Sequence, residues 1–347
     1  QLSLARNEMM SGRLLVLVTA AAAVASSKAA GPDGGGRNGR GHRRRLANDN
    51  FPPTRDASTF APSLNLTDVP LFVLFSFNGA ITPQAYDLYR PLSTYRSPRD
   101  GCPIKATWYT NVAQSSTGAP MTQCDIVSGL RAAGHEIATH TYGLTSDPTE
   151  EDIIGAVDWL NETCGVPREE LRGFRTPELG FTQDTFDSLS KLGLLYDSSI
   201  ADRELRSNGG RTHLWPYTMD NGIVQDCLQS AGMCDSSATN PGLWEIPLWR
   251  TYDEDDVPKI PVDWWGDGGW NVRETLQRNF ERKHNVTAGG NRAPLAVNVK
   301  ISWLATNLWN FNEWVTRTMD EHDDVFFITN YELIEWMRDP IPSSEYR

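Results

Sequence analysis

Nothing in this 347-residue chain is long and apolar enough to cross a bilayer. The most apolar run, Leu14 to Val24, stops short of the ~20 residues a spanning helix needs. The five cysteines, Cys102, Cys124, Cys164, Cys227 and Cys234, nowhere show Cys-x-x-Cys spacing, so a cysteine-held zinc module is excluded. No internal repeat is present, and no Ser-His-Asp or Cys-His constellation can be read from the order of residues. Positive charge is also scarce: 32 Lys and Arg stand against 44 Asp and Glu, a formal net charge of −12. Five of the arginines, Arg37, Arg40, Arg43, Arg44 and Arg45, crowd into one short arm. The remainder is therefore more acidic still, and an acidic domain is a poor binder of phosphate backbones. Nucleic acid is not an expected partner.

What is present begins with targeting. The chain opens on Gln1, and Met9 or Met10 is the better initiator. Arg13 then supplies a positive n-region, Leu14 to Val24 the apolar core, and Ala23-Val24-Ala25 a small-residue cleavage site, the pattern of a secretory signal peptide over 1–25. Residues 26–67, Gly- and Arg-rich without apolar periodicity, read as a linker or propeptide. Residues 68–340 are enough for one large core. Five cysteines agree with an oxidising, extracellular setting; Cys227 and Cys234, close together in a Gly-containing loop, are the first pair to join. Asn65-Leu66-Thr67, Asn161-Glu162-Thr163 and Asn285-Val286-Thr287 are acceptor sequons in a secreted chain, so Asn65, Asn161 and Asn285 are glycosylation candidates.

The domain alternates strand and helix. Leu71 to Gly79 is a near-continuous apolar run suited to a buried parallel strand, and Lys105 to Thr110 is the next. Thr122 caps a helix through Ile126, Val127, Leu130 and Ala133, ended by Gly134. A strand follows through His140. Thr149 with Asp152 forms a capping box for the helix Ile153 to Cys164. Strand Leu171 to Thr176, a helix opened by Thr182, and strand Leu194 to Ser198 continue the order. That succession means βαβ units and a parallel sheet. From about Ala201 to Pro294 the chain is loop-rich, and it is expected to lie over the barrel mouth. A strand Val297 to Trp303, a helix Trp309 to Met319, a strand Val325 to Thr329 and a helix Tyr331 to Arg338 close the fold.

The segment Gly134-His135-Glu136-Ile137-Ala138-Thr139-His140-Thr141 resembles the second motif of the polysaccharide deacetylases, the NodB-domain family that includes chitin deacetylases. Arg172-Gly173-Phe174-Arg175-Thr176-Pro177 is similar to that family's Arg-x-Pro motif, and Tyr196-Asp197-Ser198-Ser199-Ile200 to its fourth. Leu214 to Thr218, Pro241 to Pro247 and Asn291 to Pro294 look like the longer chitin deacetylases of animals. The resemblance spans Val69 to Arg338 and implies an α/β fold, a deformed (β/α)7-type barrel with a long loop-rich insertion. Chemistry would sit at the strands' C-terminal ends.

For activity the same motifs argue the other way. The family's first motif is Thr-Phe-Asp-Asp, whose first Asp is the general base and whose second binds metal; here Asn78 and Gly79 stand in those places. The second metal histidine would fall at Leu144, and the histidine that serves the family as general acid is replaced by Lys300. His140 is the only ligand retained. Amide hydrolysis by the family's route needs a divalent ion to acidify water and groups to move protons, and one imidazole cannot assemble a zinc site. His135 and Glu136 alternate across the strand, as do His135 and His140, so His135 is expected to be structural, hydrogen-bonded inside the barrel. Arg175 and Asp197 look like the family's pair in which arginine orients a carboxylate; that pair is retained as scaffold. With Arg175 and Asp197, Lys300 is a candidate catalytic residue, able if buried to stabilise an oxyanion or to act as the acid; the favoured expectation is that it pairs with Asp197 or a neighbouring acid. Trp264, Trp265 and Trp270, set among glycines and acids, are candidates for stacking on sugar rings.

The sequence therefore reads as a secreted, extracellular chitin deacetylase-like protein that binds chitin or another N-acetylated polysaccharide, needs no cofactor, and has lost its centre. The alternative is an active deacetylase hydrolysing the N-acetyl amide bond, with zinc or another divalent metal held at a displaced site.

Overall fold

The computed structural model describes residues 64–98, 101–114, 116–202, 213–225, 232–233, 235–259 and 272–346. The expected signal peptide, nearly all of the linker, Cys227, Cys234, Trp264, Trp265 and Trp270 lie outside them.

Strand β1 (Leu71–Asn78) is buried until its last residue. Helix α1 (Pro83–Ser93) follows, a helix the apolar pattern alone did not suggest; Thr82 caps it by accepting from the Ala85 amide, and Pro83 sits in its first turn. After β2 (Thr107–Thr110) comes α2 (Cys124–Ala132). Thr122 does not cap α2: Gln123 holds that position without a side-chain bond. The Thr122 hydroxyl instead accepts from Ile81 N at 3.1 Å and donates to Asn111 O at 2.7 Å, joining the loops after β1 and β2. Strand β3 (Glu136–Thr139) leads to α3 (Glu150–Glu162), opened by the capping box of Thr149 and Asp152. Next come β4 (Gly173–Phe174), α4 (Gln183–Leu192), ended by left-handed Gly193, and β5 (Tyr196–Asp197).

The stretch expected to be loop holds β6 (Tyr217–Thr218), β7 (Trp244–Glu245), β8 (Thr251–Tyr252), β9 (Pro258–Lys259) and α5 (Val272–His284). Helix α5 corrects that expectation. Val272, Leu276 and Phe280 recur every fourth residue and are buried, and α5 packs on the strand and helix that follow it rather than over the mouth. Those are β10 (Leu295–Lys300) and α6 (Ile301–Glu321). The strand expected to run on to Trp303 therefore ends at Lys300, which stands at the N-cap of α6. Strand β11 (Val325–Ile328) and α7 (Asn330–Arg338) complete the chain.

Among the described residues nine of the strands form one curled sheet in the order β10-β1-β2-β3-β4-β5-β7-β6, with β11 beside the first half of β1, and β8 and β9 pair antiparallel as a separate two-stranded sheet. Every pairing in the nine-stranded sheet is parallel except that of β6 with β7. One face packs Val73, Phe75, Phe77, Trp108, Ile137 and Phe174 against helices α1 to α6. The inner face carries Phe72, Leu74, Tyr109, Tyr196, Trp215 and Trp244 and is filled by Leu333, Trp336 and Met337 of α7. This is the mixed α/β, barrel-like architecture implied by the motifs.

A disulfide that the sequence reading did not name joins Cys124 to Cys164 across 40 residues, linking α2 to the end of α3. Closing a loop of that length removes about 4 kcal/mol of denatured-state entropy in the simplest model. A double Cys124→Ala, Cys164→Ala variant should accordingly lose 2 kcal/mol or more, about half that figure, and unfold at lower denaturant with an unchanged native spectrum; an unchanged midpoint would show that the crosslink adds nothing.

Candidate active site

Asn78, His140, Arg175, Ser198 and Lys300 gather at the C-terminal ends of the central parallel strands because register sets them there. Asn78 pairs across the sheet with Tyr109 on one side and Lys300 on the other, and Thr110 pairs with Thr139, one residue before His140.

The centre of the group is Arg175, 1% exposed. Its Nη1 donates to Ser76 Oγ at 2.9 Å and to Asn78 Oδ1 at 3.0 Å. Nε donates to Ser198 O and Nη2 to Ser198 Oγ, both at 2.8 Å. The guanidinium carbon lies 3.9 Å from the centre of the Tyr109 ring, a cation–π contact that in a desolvated place contributes ~2 kcal/mol. The expected pairing of Arg175 with Asp197 is not formed. Asp197 and Ser198 are consecutive in an extended segment, so when Ser198 faces the arginine, Asp197 faces the other way. Asp197 accepts from Ser199 N and Oγ at 2.8 and 2.7 Å and hydrogen-bonds Glu245, its register partner on β7. Both carboxyls are fully buried, and burial raises the pKa of each, Glu245 the further. Two neighbouring buried carboxyls do not both ionise, so the pair shares one proton. Lys300 is exposed at the end of β10, and its positive charge acts on His140.

His140 is 5% exposed. Its Nδ1 lies 2.7 Å from the Arg175 carbonyl and so carries the proton it donates. Burial, with the charges of Arg175 and Lys300, lowers its pKa to about 3, leaving a neutral ring with its lone pair on Nε2. That is the form a metal ligand takes, but the residues around it do not fit a metal. Asn78 is held by its oxygen on Arg175. Gly79 has no side chain and a φ of +131°, where L residues rarely sit. Leu144, exposed with φ 59°, offers no donor atom. Among the described residues, His140 belongs to no set of three His, Cys, Asp or Glu ligand atoms within 4.8 Å of one another.

His135 is buried as expected but on the other side of the sheet. It packs against Tyr89 in the layer between sheet and α1, accepts from Ala106 N at 3.1 Å through Nδ1, and burial lowers its pKa to about 4. Glu136 takes the inner face, accepting from Tyr196 at 2.8 Å, Thr107 at 2.9 Å and Tyr331 N at 3.0 Å. Sequence reasoning missed Ser76, Tyr109 and Ser198 as partners of Arg175; period-2 alternation from Asn78 and Arg175 was the signal that could have found them. Of the three sequons, Asn65 and Asn285 are exposed, whereas Asn161 is half-buried and its Nδ2, the atom a glycan would take, donates to Val166 O at 2.8 Å.

Comparison with known proteins agrees with this architecture. The chain is 28% identical over 319 residues to chitin deacetylase 8 of Bombyx mori, covering 86% of this chain and 78% of that protein. To chitin deacetylase 1 of Bombyx mori it is 26% identical over 314 residues, 83% of this chain but only 54% of the relative. The crystal structure of a polysaccharide deacetylase from Mycobacterium smegmatis superposes with a TM-score of 0.51 at 16% identity, over 81% of this chain and 94% of that one. No protein-family model matches.

The buried, neutral His140 predicts a pH effect. Between its folded pKa of about 3 and the ordinary value near 6.5, only the unfolded chain takes up the proton. Its contribution is therefore complete above about pH 6.5 and is lost as pH falls toward 3. Relative to a His140→Gln variant, the protein should lose ~2.3 kcal/mol on going from pH 6.5 to pH 4.5. Urea midpoints of both proteins at the two pH values check this; parallel curves would mean that the imidazole is solvated.

Proposed function

We propose that this chain, which is similar to the chitin deacetylases of Bombyx mori and shares the fold of a polysaccharide deacetylase, is a member of the polysaccharide deacetylase family, and that it is a secreted glycan-binding protein whose deacetylase centre is silent. The observation that carries this reading is the bond from Arg175 Nη1 to Asn78 Oδ1. The amide oxygen is spent on the guanidinium, and an amide nitrogen has no lone pair with which to take a proton from water. Gly79 and Leu144 add no ligand beside His140, so no step is derived through a metal ion. The ligand proposed is chitin or a related N-acetylated polysaccharide, in keeping with the Bombyx mori relatives. Secretion is supported by the leader-like run Leu14 to Val24 and by the Cys124–Cys164 disulfide. Trp264, Trp265 and Trp270 remain the proposed sugar contacts. A second reading, an active deacetylase, draws support from one feature: the neutral His140 with Nε2 free to bind a metal ion.

The two readings part in solution. The proposed binder is retained on insoluble chitin and releases no acetate from it. Replacing Trp264, Trp265 and Trp270 together by Ala should weaken retention by ~10-fold or more, the scale of aromatic hot spots. An Asn78→Asp variant should stay inactive, because a restored base still faces no metal. Acetate release by the unaltered protein would overturn the silent-centre reading, and failure to bind any N-acetylated polysaccharide would overturn the binding one.

A further inference from the structure

At the opposite end of the strands, three side chains that play no part in the site above converge. His284 is the last residue of α5 and His322 the C-cap of α6, while Asp324 immediately precedes β11. His284 Nε2 lies 3.0 Å from both carboxylate oxygens of Asp324. The His284 and His322 ring centres are 4.7 Å apart, and each ring packs against Phe280. One ligand atom from each of the three residues lies within 4.8 Å of the others. We propose that His284, His322 and Asp324 form a binding site for a zinc-class divalent ion that ties α5, α6 and β11 together.

Two imidazoles and one carboxylate are the donor set of zinc and its neighbours, not of calcium or magnesium. A tetrahedral ion with bonds near 2.1 Å needs ligand atoms ~3.3 Å apart. His284 and Asp324 are already near that spacing, and His322 closes the triangle by moving no more than ~1.5 Å. All three side chains are half-buried, which leaves a coordination position open to water and a path for the ion. Two helix C-termini, those of α5 and α6, end here, and their partial negative charge favours a cation.

The surrounding chain fixes the geometry. Arg292 donates to Asp324 Oδ2 at 2.7 Å, leaving Oδ1 for the ion, as an outer partner orients a ligating carboxylate. Its positive charge opposes the ion, so the site is one of moderate affinity. The turn between α5 and β10 is pinned by Gly290 N on Asn285 O and Arg292 N on Lys283 O. At Gly290 a Cβ would stand 2.6 Å from the Lys283 carbonyl oxygen, so only glycine lets that turn close behind the carboxylate. Asp324 is anchored in addition by its own carbonyl, which accepts from Leu71 N at 2.9 Å at the entry to β1.

The probe is Zn2+ alone, added to the secreted protein after chelator treatment and dialysis, with bound metal read by elemental analysis and by thermal melting; Co2+ absorption reports a tetrahedral site. About one ion per chain and a raised melting midpoint are expected. His322→Ala, which removes ring packing on Phe280 but keeps the hydrogen bonds of His284 and Arg292 to Asp324, should leave the protein folded without metal and weaken binding by more than the ~10- to 100-fold that loss of an outer-shell partner costs. His284→Gln should weaken binding likewise, and His140→Ala should leave binding intact. Zinc lost only on His140→Ala would overturn this site and the silent-centre reading together. Zinc retained by both His284→Gln and His322→Ala, or absent from the unaltered protein, would overturn this site alone.

Discussion

The buried guanidinium of Arg175 is the interaction on which the inner face of the sheet depends. It leaves the end of β4 and reaches back across two intervening strands to Ser76 and Asn78 of β1, and forward to Ser198 beyond β5. A flat sheet could not make those contacts, because β1 and β4 are not neighbours; only the curl brings them within hydrogen-bond reach. The planar fork of arginine is what makes this possible, since its donors diverge in fixed directions and its face is left for Tyr109. Lysine would supply a charge without the geometry.

The same interaction accounts for the tolerance of Asn at position 78. What the scaffold asks of that residue is an acceptor oxygen 3.0 Å from Nη1, and an amide provides one as well as a carboxylate does. Chemistry would ask for a basic lone pair as well, and that is lost. The requirement of the fold and the requirement of the proposed reaction fall on different atoms of one side chain, so the fold can persist where the base does not. Gly79 follows a similar logic. Its φ of +131° suits a backbone that turns away at the strand's end, and an aspartate placed there would meet backbone strain before it met a metal. Thr141, Leu144 and Asp147, each with positive φ, give the segment after β3 a path that side chains other than glycine seldom take.

Much of the fold was legible because its signals are local. The apolar run of β1, the Thr149–Asp152 box and the helix opened by Thr182 depend on neighbours within a few residues. Helix α1 was equally legible in principle, through Thr82 and Pro83, but its polar positions hid the period. Helix α5 was masked by charge: Arg273, Glu274, Arg278, Glu281, Arg282 and Lys283 surround its three buried anchors. The site was only half legible. Motif order placed Asn78, His140 and Arg175 together, yet which carboxylate Arg175 would meet depended on the face that Asp197 takes, and that is fixed by Ser198 turning inward. The Cys124–Cys164 bond was invisible for the same reason, since proximity between α2 and the end of α3 arises only when β3 has paired with β2.

Among the described residues Arg175 has no carboxylate within hydrogen-bond distance, so its charge must be balanced at longer range. The causes acting on it identify how: after burial, which opposes the charge, Tyr109 and Tyr196 come first, then Asp197 and Glu245. The last two form a buried acid pair with a proton between them, so together they carry one negative charge against the one positive charge of the arginine. The pair stands on the far face of β5, out of hydrogen-bond reach, where it offsets the guanidinium without drawing it away from Ser76 and Asn78. A carboxylate on the near face would capture the fork and release β1. Retention of Asp197 beside Arg175 is thus explained by charge balance within the core, with no appeal to the orientation of a reacting group.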